Sequence, residues 1–224
     1  PQLNKQMFDY RNTSIHDYDD ELLNDYDERI NKGKAQLIIF HLLGQHFQYS
    51  SRCKSGMKRF SIKDYTRSDL SDHAKQTIAD YDNATLYNDF VLSKIVELFR
   101  NKEAVVVYLS DHGEDCYGKD VDMAGRLTEV ENINVKKYHE EFEIPFWIWC
   151  SPAYRQRHHK IFIETLKARN NRFMTDDLPH LLLYLAGIST KEYKAERNVL
   201  SPRFNNRRPR LVLNSIDYDK ALHQ

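Results

Sequence analysis

The stretch Ala104–Glu114, AVVVYLSDHGE, decides how this chain reads. Val105, Val106 and Val107 form a β-branched run that Tyr108 and Leu109 continue. A short, almost unbroken apolar run reads as a strand buried on both faces, as in a parallel sheet covered by helices. It ends in Ser110-Asp111-His112-Gly113-Glu114. Polar and ionisable residues just past the carboxyl end of such a strand stand where open α/β sheets hold their ligands. Asp111 offers a hard oxygen and His112 an imidazole nitrogen, a pair suited to Zn²⁺ or a similar divalent ion. Neighbouring strand residues point to opposite faces, so the two can share an ion only where the chain is already turning. Gly113 permits such a turn. A surface loop with a capping aspartate and a hydrogen-bonded histidine would use the same letters.

Working outward, Gln36–His41 (QLIIFH) and Ile144–Cys150 (IPFWIWC) are two further apolar runs of strand length, and Arg210–Asn214 (RLVLN) is a shorter one suited to an edge. Helical spacing lies between them. In His16–Lys32 the periodic residues are Leu22, Leu23, Tyr26 and Ile30. Asp19 and Asp20 favour its N-terminus, and Asn31-Lys32-Gly33 is its stop. His73–Asn101 predicts a long helix with Ile78, Tyr81, Leu86, Phe90, Val91 and Ile95 on its buried side. Tyr154–Asn170 predicts a basic helix. Thr175–Leu185 predicts another, with Thr175 as N-cap, Asp176 and Asp177 in the first turn, and Gly187 as its end. Phe47–Asp72 and Asp115–Glu143 are long polar loops, and loops of that length in a compact domain usually carry function. Strands alternating with amphipathic helices predict an α/β fold, a three-layer α/β/α sandwich. Gln36–Phe40, Val105–Leu109 and Phe146–Trp149 should lie in one mostly parallel central sheet.

A chain of 224 residues with 41% hydrophobic content is globular and long enough for one domain. Lys+Arg and Asp+Glu are both 33, so no excess of positive charge points to nucleic acid. The three cysteines, Cys53, Cys116 and Cys150, make no tidy disulfide framework. Cys150 ends an apolar run and reads as core, and Cys116 reads as a loop thiol, with a soft metal ligand as its alternative.

The strand candidate before His41 also ends in polar residues, His41, Gly44, Gln45 and His46. In a parallel sheet its end and that of Val105–Leu109 share one edge. Three imidazoles and a carboxylate there can bind a metal ion and a phosphate oxygen together. His41 reads rather as a hydrogen-bonded core histidine. His46, on a glycine-containing turn, reads as functional.

The motifs together resemble those of the phosphoethanolamine transferases of the alkaline phosphatase/sulfatase superfamily. His41–His46 (HLLGQH) is similar to the family's H-x-x-G-S-H, with Gln45 at the serine position. Tyr81–Asp89 (YDNATLYND) is similar to Y-D-N-T-x-x-Y-x-D, and Ser110–Glu114 to S-D-H-G-E. Ile144-Pro145-Phe146, the Thr175–Leu185 helix and Tyr18–Leu23 (YDDELL) also fit. The resemblance implies an enzyme of the bacterial inner membrane with its catalytic domain facing the periplasm. It implies transfer of phosphoethanolamine from phosphatidylethanolamine to lipid A, core sugar or another envelope glycan, through a covalent threonine intermediate on a zinc-held alkoxide. Asp111 and His112 match two zinc ligands. His46 matches a histidine that contacts the transferred phosphate, with His41 beside it at the substrate, and Glu114 fits outside the ligand shell.

The departures from the family pattern are specific. The nucleophilic threonine and an acidic ligand are expected well upstream of His41, where only Pro1–Phe40 stand, and Thr13 has no strand before it. Residues 1–224 therefore resemble the C-terminal part of a single catalytic domain. Without membrane region or nucleophile segment, such a piece is expected to be inactive alone. A second phosphate-site histidine aligns with Ala124, where Lys119 or Arg126 could supply charge but not a proton shuttle. A sulfatase, phosphodiesterase or phosphoglycerol transferase of the same superfamily, or a binding remnant without catalysis, are the alternatives.

Overall fold

In the computed structural model, which describes residues 15–26, 35–127 and 133–223, the strand Val105–Leu109 (β1) forms as expected. Its partner runs the other way. β1 pairs antiparallel with Phe146–Cys150 (β4), with Val107 opposite Ile148 and Leu109 opposite Phe146. One face of this ribbon packs Val107, Phe146 and Ile148 against the buried Leu181, Val199 and Leu200. On the other face Tyr108 stacks on the directly opposed Trp147, with ring centroids 5.3 Å apart. All five residues of β1 are half-buried rather than sealed on both faces.

The α/β class holds, but the parallel three-strand sheet is not present among the described residues. Besides β1 and β4 they form two small antiparallel ladders, Asp115–Cys116 (β2) with Ala124–Gly125 (β3) and Leu211–Val212 (β5) with Ile216–Asp217 (β6). An apolar run signals burial and carries no information on strand direction; the connection sets that. A parallel return needs a crossover, commonly a helix, whereas the described residues between 110 and 145 form the β2–β3 hairpin and a 3-10 turn at His139–Glu141. Gln36–Phe40 joins no ladder. It has no assigned secondary structure, with Leu37 71% and Ile39 65% exposed.

Residues 1–95 and 96–224 cluster as two units, each described here by itself. The long helix expected over His73–Asn101 is Asp72–Phe99 (α1), capped by the Ser71 hydroxyl on the amide of Ala74 at 3.1 Å. Its buried stripe runs Ala79, Asn83, Tyr87, Val91, Ile95 and Phe99, an i,i+4 series. Leu86 falls off that stripe and is exposed, and the fully buried Asn83 takes a core position instead.

Asn83 is inside because a loop needs it there. Its Oδ1 accepts the amides of Arg59 and Phe60 at 2.6 and 2.9 Å, and its Nδ2 donates to the Phe60 carbonyl at 2.9 Å. One turn earlier the ring of Tyr81 meets Tyr49 edge-on at 5.1 Å, and Asp82 accepts the Tyr65 hydroxyl at 2.6 Å. The loop Phe47–Asp72, with 3-10 turns at Tyr49–Ser51, Ser55–Met57 and Ile62–Asp64, is thus pinned along one helix.

In the second unit the basic helix expected over Tyr154–Asn170 is split at His158 into Pro152–Arg157 (α2) and His159–Ala168 (α3). The buried Ser151 caps the first and also accepts the amide of Ala104 beside β1. Thr175 caps nothing. Thr175–Asp177 is a 3-10 turn before Leu178–Leu185 (α4), and the buried Asp177 accepts from Arg197 and Arg208. The chain closes with Tyr218–Leu222 (α5). All three cysteines are free, with Cys53 and Cys150 buried. Thr13, Ile30 and the helix stop at Gly33 lie outside the described residues.

Asn83→Ala should lower unfolding stability by about 2–4 kcal/mol, because two amides and a carbonyl lose a buried partner together. Urea denaturation measures the loss. Hydrogen exchange at Arg59 and Phe60 should accelerate in parallel, and unchanged exchange there would contradict this role for the side chain.

Candidate active site

β1 delivers its polar end as a bend rather than a continued strand, so consecutive residues no longer alternate faces. Asp111 and His112 come together, with Asp111 Oδ1 3.7 Å from His112 Nε2. Asp111 Oδ1 also accepts the amide of His112 at 3.1 Å, and the Ser110 hydroxyl donates to the His112 carbonyl at 2.6 Å. His112 Nδ1 lies 2.8 Å from the Gly113 carbonyl. A proton on Nδ1 makes that hydrogen bond and leaves Nε2 its lone pair, the tautomer a metal-binding imidazole uses. The carboxylate of Asp111 is 86% exposed.

Gly113 is not in the left-handed region; its requirement is space. A Cβ there would sit 1.9 Å from the Glu140 carbonyl oxygen and 2.7 Å from that of Glu143. The Gly113 amide donates to the Glu141 carbonyl at 3.1 Å. The Glu141 carboxylate accepts the amide of Leu127 at 3.0 Å, and burial raises its pKa. Glu114 is half-buried and its charge acts on Glu141. The outer partner of His112 is the Gly113 carbonyl rather than Glu114.

Asp115, in β2, is a residue that sequence reasoning missed. It is 1% exposed and neither carboxyl oxygen has a hydrogen-bond partner among the described residues. Burial, with the charges of Glu140 and Glu141, pushes it up to about 6. The signal available in the sequence was only its place beside an apolar strand end.

In the first unit, His46 sits on the turn His41–His46, whose amide-to-carbonyl bond from His46 to Leu43 is 3.0 Å. Its imidazole is exposed, with Nδ1 3.4 Å from the Phe47 carbonyl, so the Nδ1–H form leaves Nε2 facing outward as an acceptor. His41 is exposed, which removes the core-histidine reading. Two further polar groups serve the turn. Asp19 accepts the amides of Leu43 and Gly44, and Arg52 donates to the carbonyls of His46 and Phe47. Asp19 and Asp20 are therefore not a helix cap. Their turn, Asp19–Leu23, is 3-10 and has no side-chain cap.

Among the described residues, no group of three or more His, Cys, Asp or Glu converges as a metal cage. The pair Asp111 and His112 fits zinc as two of its ligands. Its nitrogen and oxygen donors are of the right kind, and one ion with bonds of about 2 Å can span them.

A family model described as Sulfatase matches residues 3–188. Phosphoethanolamine transferase EptC of Escherichia coli is 32% identical over 172 residues, covering 75% of this chain and 28% of that protein. Phosphoethanolamine transferase EptA of Helicobacter pylori is 34% identical over 134 residues, covering 58% and 24%. The solved C-terminal periplasmic domain of Escherichia coli EptC is 28% identical with a TM-score of 0.71, covering 87% of this chain and 54% of that one. The same domain in complex with Zn gives 28% and 0.68, covering 95% and 60%. The chain spans 28% of the length of the EptC protein and little more than half of its solved domain.

Two outcomes follow from the close packing around Gly113 and Asp115. Gly113→Ala should cost about 3 kcal/mol or more, since backbone rather than a flexible side chain stands in the way; unchanged stability would show that residues 140–143 yield easily. Asp115 has a raised pKa, so its contribution to stability is present below about 3.8, the ordinary value, and is lost as pH rises to about 6. Urea midpoints should fall across that window and level off above it, by about 1–3 kcal/mol in total. Asp115→Asn should flatten that slope.

Proposed function

The chain belongs to the sulfatase family, and on that premise we propose that it is part of a metal-dependent phosphoethanolamine transferase. The observation that carries the reading is the Asp111–His112 pair, 3.7 Å apart and set by the Gly113 carbonyl into the metal-binding tautomer. Relatives named phosphoethanolamine transferase, and a zinc complex among the solved neighbours, support the chemistry. The donor in this proposal is phosphatidylethanolamine, and the acceptor is lipid A or another envelope glycan. The headgroup passes through a covalent threonine ester.

Asp111 and His112 are the residues of this chain that would hold zinc. Bound there, zinc lowers the pKa of the attacking hydroxyl and neutralises phosphoryl charge. His46 presents Nε2 to the transferred phosphate, where an imidazole donates to a non-bridging oxygen when protonated and takes a proton when neutral. His41, exposed at the start of the same turn, contacts substrate beside it. The Glu141 carbonyl accepts the Gly113 amide and holds the bend that carries Asp111 and His112. The site operates on the periplasmic side of the inner membrane. No described helix is long and apolar enough to cross a membrane.

One observation favours a second reading. Ala124, at the position of the expected second histidine, is paired with Cys116 in the β2–β3 ladder, and Lys119 and Arg126 are exposed nearby in sequence. Without that imidazole the domain would bind headgroup or acceptor and not turn over.

Release of labelled headgroup from a phosphatidylethanolamine analogue by the full-length protein in detergent distinguishes the two. Turnover should be lost with chelator and with His112→Ala. His46→Ala should reduce it about 10²- to 10⁴-fold, the usual cost of a positioned acid–base group. Calorimetric titration of this chain should show weak zinc binding that Asp111→Ala abolishes. Chelator-insensitive turnover would overturn the mechanism, and binding of the donor without turnover would support the second reading.

A further inference from the structure

Two motifs remain without a task in that mechanism, Tyr18–Leu23 and Tyr81–Asp89, and both end at the turn that carries His46. The Asp19 carboxylate accepts two consecutive amides of that turn, Leu43 at 3.0 Å and Gly44 at 2.8 Å, one on each oxygen. Gly44 has φ +54°, so the turn holds the left-handed conformation that glycine accepts. On its far side the Arg52 guanidinium donates from Nε to the His46 carbonyl at 3.2 Å and from Nη2 to the Phe47 carbonyl at 3.1 Å. The turn is gripped by an anion on its amides and a cation on its carbonyls, each with the sign its partner prefers.

The Asp19 grip is anchored to α1. Asp20, next to Asp19, accepts the buried Tyr87 hydroxyl at 2.5 Å and the Lys54 ammonium at 2.7 Å. Burial alone would raise Asp20, but the hydrogen bonds from Lys54 and Tyr87 outweigh it and hold the carboxyl below its ordinary range. Within the turn the Gln45 amide reaches Thr85 Oγ1 at 3.3 Å. Tyr81, Asn83, Thr85 and Tyr87 span less than two helical turns, about 9 Å along the axis. That short length of helix locates the loop Phe47–Tyr65, the Asp20 anchor and the His46 turn relative to one another.

We propose that Asp19 and Arg52 are positioning residues that fix the backbone on both sides of His46 and so aim its imidazole at the transferred phosphate. The inference rests on the reading of His46 given above. A loop histidine with an exposed side chain has little of its own to hold it in place. A misplacement of about 1 Å at a reacting group costs on the order of 100-fold in rate, so the grip on the backbone is where the precision must come from.

The test is a double-mutant cycle on headgroup transfer by the full-length enzyme. Asp19→Ala and Arg52→Ala should each lower kcat about 10- to 100-fold with KM nearly unchanged. In a His46→Ala background neither should lower it further, because the imidazole they aim is gone. Arg52→Lys keeps the charge and loses the two-pronged contact, and should recover only part of the rate. Asp19→Asn, which keeps one good acceptor, should also fall between. If Asp19→Ala does not fold, these two conservative variants carry the same cycle. The pH profile should change shape in the Asp19 variants, which a purely structural weakening would not cause. In this chain alone, NMR of the His46 ring should show new chemical shifts and broader rotamer averaging when Asp19 or Arg52 is replaced. Losses that add to that of His46→Ala, or His46 signals that do not move, would overturn the proposal. A silent His46→Ala would instead remove the role of His46 itself, and a normal NMR response would then mark that failure as separate.

Discussion

The approach of residues 140–143 to Gly113 is the constraint on which the second unit turns. A carbonyl oxygen 1.9 Å from where a Cβ would be leaves room for a hydrogen atom and nothing larger. The bend that carries Asp111 and His112 is therefore continuous with a segment far along the chain. That segment is secured in turn. Glu141 holds Leu127 through its carboxylate, and Ile133 and Val135 form a small core with Tyr218 of α5, whose hydroxyl donates to Glu143. A helix at the end of the chain braces a loop, the loop braces a glycine, and the glycine places two donor atoms. The Asp111–His112 pair draws its geometry from this backbone packing together with the hydrogen bonds of Ser110, Asp111 and His112 to the bend itself.

The first unit solves a similar problem with charge. The turn around His46 has few buried apolar groups to hold it, so amides and carbonyls are captured by Asp19 and Arg52, while Asn83 captures the loop that follows. The Y-D-N motif that marks the family resemblance is, in this structure, three consecutive side chains that fasten one loop: Tyr81 on Tyr49, Asp82 on Tyr65, Asn83 on Arg59 and Phe60. Motifs near a reactive centre need not supply reactive groups.

Local periodicity made α1, β1 and β4 legible in advance, and the polar letters after β1 marked Asp111 and His112, whose side chains meet. What periodicity leaves out is pairing across distance. The direction of β4 is invisible in seven apolar residues. Asp19 and Asp20 before an apolar period have the form of an N-cap, yet their partners are Leu43, Gly44, Lys54 and Tyr87. Asp176 and Asp177 have the same form, and they bind Arg197 and Arg208. Leu86 looked buried because it is apolar, yet it is exposed, and the loop's need for hydrogen bonds puts the polar Asn83 inside. Gly113 was legible as a requirement for glycine but not for its reason, which is a neighbour some thirty residues away in the chain rather than a backbone angle.

The apolar segment before His41 has a consequence of another kind. Gln36–Phe40 carries no charge and no proline, is rich in β-branched and aromatic residues, and sits outside any ladder with Leu37 and Ile39 turned to solvent. Those are the attributes of a template for strand addition, and short segments of this composition stack into cross-β zippers when left uncovered. Its neighbours add to the hazard, since Leu43 and Phe47 are also exposed. The surface that leads into the His46 turn thus combines an exposed apolar strand-former with the backbone that carries His46, so solubility and the integrity of that turn draw on neighbouring residues.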